Sequence, residues 1–236
     1  MQRILSQLTE RLTKTYGDRL TSVILYGSAA AGDHHGKYSD LNVLCVLREV
    51  TPRELADSTT IVRWWRGQGN PSPLLLSEEE LRNATDCFPI EFHDIRERRR
   101  VLWGKDVALN LEIDTCFYRA QVEHDLRARL LRLRQKAAGV LADANLLRSL
   151  LADSISTFCV LFRHALLLSG TEAPFEKRAI VESARQAFGI EPAPFLRLLD
   201  LREEKIKPKE IAPGPLFAEY MKQIQIVIAA VDRLAK

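Results

Sequence analysis

Two apolar runs decide the reading of this chain: Thr21-Ser-Val-Ile-Leu-Tyr-Gly27-Ser28 and, after a polar loop, Ser39-Asp40-Leu41-Asn42-Val-Leu-Cys-Val-Leu47. Both are short, aliphatic and bounded by turn or polar residues, the pattern of buried strands. Gly27 stops the first run; without a Cβ it lets the chain turn sharply and lets a ligand approach the backbone. Ser28 opens an alanine-rich turn whose hydroxyl and free N–H groups suit a phosphate. Asp40 and Asn42 stand two apart at the entry of the second strand, so they point to one face. Oxygen donors beside a phosphate site are what Mg²⁺ requires, because it is a hard cation.

Outward from these runs, Ile4, Leu5, Leu8 and Leu12 have helical spacing, in a segment that ends near Gly17. Thr51-Pro-Arg-Glu54 opens a helix that runs to about Arg66, with Thr51 as cap and Pro52 in the first position. Pro73 to Leu76 reads as a short strand, and Ser77-Glu-Glu-Glu80 as a capping box. Phe88-Pro-Ile-Glu-Phe-His-Asp-Ile95 alternates and is read as a third strong strand. On such a strand Glu91 joins the face of Asn42, His93 shares that face, and Asp94 points away. The charge run Arg96 to Arg100 is read as a solvated connector.

The pattern then changes. Helical segments are expected over 114–138, 145–169, 175–188, 194–201 and 216–234, with no convincing strand. The expectation is an α+β chain: a mixed sheet with flanking helices over 1–112, then an all-helical bundle over 113–236.

The strand, Gly27-Ser28, eleven residues, Asp40-Leu41-Asn42 and the later Glu91 resemble the motif of the nucleotidyltransferase superfamily typified by polymerase beta. The match is to its small bacterial branch of kanamycin-type and minimal nucleotidyltransferases. The resemblance implies Mg²⁺-dependent transfer of a nucleoside monophosphate, AMP from ATP, to an acceptor hydroxyl on a small molecule or a protein. Gly27 and Ser28 would bind the nucleotide. Asp40, Asn42 and Glu91 would hold metal, with Asp40 and Glu91 catalytic. Glu123 is a candidate general base from outside the metal cluster, by analogy with aminoglycoside-modifying relatives. Two departures stand out. Ala31 occupies the place of an arginine common in relatives, and Asn42 that of a second metal-binding aspartate. A neutral amide holds Mg²⁺ more weakly than a carboxylate. The alternatives are therefore a catalytically silent nucleotide-binding or regulatory protein of the same fold, or an antitoxin-like protein acting on a protein partner.

Composition bounds the rest. The 236 residues are 46% hydrophobic and 28% charged, ordinary for a globular chain that buries a core. The net charge is +3; residues 1–113 carry 15 basic and 16 acidic side chains, the remainder 19 and 15. That excess is too small to favour nucleic acid, and Arg129, Arg132 and Lys136 read first as a solvated helix face. Four separated cysteines without a CxxC, and no apolar leader in the first residues, fit reduced thiols and a cytoplasmic setting. No membrane span is expected, since Arg163 and His164 interrupt the most apolar stretch. A homodimer is compatible with all of this.

Overall fold

The computed structural model describes residues 1–31 and 41–234; Asp33, His34, His35 and Asp40 lie outside them. The chain forms two compact units, Met1–Thr115 and Cys116–Lys236.

The first unit is built on four strands: β1 (Leu20–Tyr26), β2 (Asn42–Leu47), β3 (Leu74–Ser77) and β4 (Arg99–Gly104). Their order is β3-β2-β1-β4, with β1 antiparallel to both neighbours and β2 parallel to β3. Strand alternation sends the two sets of side chains to different cores. Val23 and Leu25 of β1 and Val43, Cys45 and Leu47 of β2 face α1 (Gln2–Tyr16) and α2 (Pro52–Gly67). Those helices answer with Leu5, Leu8 and Leu12, and with Ile61 and Trp65, all buried. Burying each such leucine contributes about 1.5–3 kcal/mol. Ile24 of β1 and Leu44 and Val46 of β2 face the other way, onto Leu81 of α3 (Glu78–Asn83) and Phe92 and Ile95 of α4 (Pro89–Glu97).

Local chemistry starts the helices where the sequence places them. Thr51 Oγ1 accepts from the Arg53 N–H at 3.2 Å, and the Glu54 carboxylate accepts from the Thr51 N–H at 3.2 Å. Ser77 repeats the device, its Oγ accepting from the Glu80 N–H at 3.1 Å while Glu80 accepts from the Ser77 N–H at 2.7 Å. Hydrogen bonds from Thr51, and one from Arg19, hold the Glu54 carboxyl down at about 2.

One expected strand is a helix. The segment read as a strand over Phe88–Ile95 is α4, and the strand follows it as β4. Pro89 takes the first helical turn, where its missing N–H costs nothing, whereas in a sheet centre it would break the ladder. The buried set Ile90, Phe92 and Ile95 satisfies a helix face as well as an alternation. Arg99 and Arg100 are thus in an edge strand rather than a connector.

The second unit is helical among the described residues: α5 (Tyr118–Ala138), α6 (Ala144–Leu168), α7 (Lys177–Phe188), α8 (Ala193–Arg202) and α9 (Pro213–Arg233). Helix α6 packs against all the others of this unit. Phe158 and Phe162 of α6 meet Phe195 of α8 and Tyr220 of α9 in an edge-to-face cluster, with Phe195 and Tyr220 5.1 Å apart. By length and composition alone α6 is apolar enough to cross a membrane. Its long buried face is accounted for by this core instead. The polar pair within it is engaged: His164 Nδ1 shares a hydrogen bond with the Tyr118 hydroxyl, and the Arg163 guanidinium lies 3.6 Å from the Phe175 ring centre.

Candidate functional site

The site expected from the sequence gathers at the C-terminal end of β1. Gly27 sits at φ +77°, in the left-handed region, so the turn requires glycine. Its N–H donates to the Arg98 carbonyl at 3.0 Å and its carbonyl accepts from the Ala30 N–H at 3.1 Å. These bonds lead β1 into a short 3-10 turn, Ser28–Ala31.

Across the sheet at this end, Asn42 of β2, Tyr26 of β1 and Arg99 of β4 stand in one row. Tyr26 packs against the α4-side core, and Asn42 shares the parity of Leu44 and Val46, so the row faces α4. Burial first, and then the charge of Glu91, raise the Tyr26 hydroxyl above its usual range. A carboxylate felt by that hydroxyl lies close to the same face. The row's cation, Arg99, is held by Asp106, with Nε 2.8 Å from Oδ1 and Nη2 3.0 Å from Oδ2.

The structure therefore brings Gly27, Ser28, Asn42 and Glu91 to one end of the first unit, by a different route from the one expected. Glu91 is an exposed residue of the first turn of α4 and does not come from a strand. The face relations change with it. On a helix, residues three apart are neighbours and residues two apart are not, so Asp94 falls on the Glu91 side and His93 does not. Asp40, the first expected metal ligand, is outside the described residues. The donors that are described, a neutral amide and one carboxylate, fit a weak cation site on their own and need Asp40 for a stronger one.

Glu123 lies in the second unit, on α5. It accepts from Arg119 Nη1 at 2.8 Å and from Arg127 Nε at 2.7 Å. Arg127 foremost, with Arg119, holds its carboxyl below the usual range, which makes it a poor proton acceptor. Arg129, Arg132 and Lys136 are exposed along α5.

Sequence reasoning missed Tyr26, Arg99 and Arg100. The Nε and Nη2 atoms of Arg100 are buried without a hydrogen-bond partner among the described residues. Arg100 pairs with Leu25 and so faces the α1 side, opposite Asn42. A groove of about 690 Å³ between α2 and β3 contains none of the expected site residues.

Sheet, turn and bundle follow the fold of a solved adenyltransferase structure. The solved structure of spectinomycin adenyltransferase AAD(9) from Enterococcus faecialis, with ATP and spectinomycin, aligns over 98% of this chain and 99% of its own, with a TM-score of 0.57 and 14% identity. A toxin–antitoxin structure with AMP-PNP aligns over 58% of this chain and 95% of its own at 13% identity, but with a TM-score of 0.32, too low to bear on the fold. No protein-family model matches the chain, and no curated protein matches it.

Proposed function

We propose that this protein is a Mg²⁺-dependent nucleotidyltransferase that moves AMP from ATP to an acceptor hydroxyl. The observation that carries the reading is the meeting of the Gly27–Ser28 turn, Asn42 and Glu91 at one end of the sheet. Correspondence over the whole length to an adenyltransferase fold supports it. The Ser28 hydroxyl and the N–H groups of the turn would bind the terminal phosphates. Asp40, Asn42 and Glu91 would hold Mg²⁺, which supplies charge neutralisation for the triphosphate and the leaving pyrophosphate. Glu91 adds negative charge on the face where the α-phosphate and the acceptor hydroxyl would meet. Glu123, the candidate general base, is held by two guanidiniums, Arg119 and Arg127, and would have to leave them to accept a proton.

A small hydroxylated acceptor is the first class to test, since the similar fold is that of a spectinomycin-modifying protein. The assay is transfer of label from α-³²P-ATP to a panel of aminocyclitols and aminoglycosides, spectinomycin included, with Mg²⁺. Labelled product with wild type and none with Asp40→Ala is the expected result. ATP binding without turnover on any acceptor would favour a second reading, a silent nucleotide-binding protein. The observation behind that reading is Asn42, a neutral group at a position where the family resemblance calls for an anion.

A further inference from the structure

The groove between α2 and β3 is lined by none of the described residues of the proposed nucleotide site. One wall is a stripe of α2: Leu55, Ser58, Thr59, Val62, Arg63 and Arg66, spaced three and four apart along the helix. The other is β3 and its approach, Ser72, Pro73 and Leu75. Strand β3 ends the sheet, and among the described residues the backbone of its Leu74–Leu76 stretch makes no hydrogen bond outside the ladder to β2, while the Ser77 N–H is taken by Glu80. An open strand edge invites another strand. Apolar surface is exposed on the α2 wall, Leu55 at 50%, and the β3 wall presents the half-buried Leu75 beside Pro73.

Charge selects the occupant. Arg63 and Arg66 are exposed, and among the described residues they form no ion pair and no residue lining the groove is acidic. They stand where α2 gives way to the loop that leads into β3, so one end of the groove is cationic and the rest mixes the apolar Leu55, Pro73 and Leu75 with the hydroxyls of Ser58, Thr59 and Ser72. A folded helix laid here would leave the β3 edge unpaired, whereas an extended chain pairs with it. We propose that this groove binds an extended segment of a protein partner, alternating apolar and acidic, which adds to β3 as a strand and sets an acidic group between Arg63 and Arg66. This inference is independent of the nucleotide reading.

The test is selection of a displayed random octapeptide library on the full chain, with enriched peptides resynthesised and their affinities measured by fluorescence anisotropy. Peptides alternating apolar and acidic residues are expected. The Arg63→Glu/Arg66→Glu variant, folded to the same melting temperature because both positions are exposed, should bind them about tenfold or more weakly. N-methylation of alternate peptide amides separates strand addition from mere stickiness: one alternation should abolish binding and the other spare it. The proposal is overturned by no enrichment, by peptides insensitive to both changes, or by Arg63- and Arg66-dependent binding of a dT20 oligonucleotide alone.

Discussion

Two glycines of the first unit separate backbone conformation from space. Gly27 is at φ +77°, and an added Cβ there would meet Asn42 Nδ2 at 3.5 Å, ordinary contact. Gly104 is at φ +79°, and its Cβ would fall 2.2 Å from the Thr21 carbonyl oxygen, in the backbone of the neighbouring strand. Gly27→Ala should therefore cost the left-handed strain alone, about 1–2 kcal/mol. Gly104→Ala carries the same strain and must also push β4 from β1, which adds about 1–3 kcal/mol. Its total is about 2–5 kcal/mol. The assay is urea unfolding followed by tryptophan fluorescence. All three tryptophans, Trp64, Trp65 and Trp103, lie in the first unit, so the signal reports that unit by itself. If Gly104→Ala unfolds at the same urea concentration as Gly27→Ala, or later, the β1–β4 register described above is wrong.

Other outcomes follow from the same geometry. Replacing Arg100 by Met removes a guanidinium with two buried, unpartnered nitrogens, so calorimetry should show a higher melting temperature, and a lower one would mean the charge is satisfied. The Glu54 carboxyl, held at about 2 against an ordinary 4.5, contributes stability that is fully present above pH 4.5 and lost as pH falls towards 2. Acid unfolding of Glu54→Gln should lack that part of the slope. Burial pushes the Cys45 and Cys159 thiols up to about 12, while Cys87 and Cys116 are exposed. A thiol reagent should therefore titrate two cysteines in the native protein and four in denaturant. Tyr220→Phe removes a 3.1 Å hydrogen bond to Ser154 Oγ, which keeps its bond to the Leu151 carbonyl, so the expected loss is about 1 kcal/mol in thermal unfolding.

Much of this fold was legible because local signals and tertiary demands agree. The runs that became β1 and β2 are buried on both faces, so they read as continuous apolar stretches. The caps at Thr51 and Ser77 act through residues three positions away, within reach of sequence inspection. The segment after Phe88 misled because Ile90, Phe92 and Ile95 satisfy period two and a helix face alike; Pro89 was the overlooked arbiter. Strand β4 hid behind arginines, since an edge strand tolerates charge that a central strand does not. In the candidate site, the positions of Gly27, Ser28 and Asn42 were readable from strand ends. Tyr26 and Arg99 join them only through strand register, and Glu91 through helix placement, neither of which a linear sequence displays.

The most direct test of the proposed nucleotide site is titration calorimetry with a non-hydrolysable ATP analogue, with and without Mg²⁺, on wild type and on Asn42→Asp. Wild type should bind only with Mg²⁺, and the added carboxylate should tighten that metal-dependent binding by about tenfold. Binding by neither protein, or equal binding by both without the metal, would contradict the proposal.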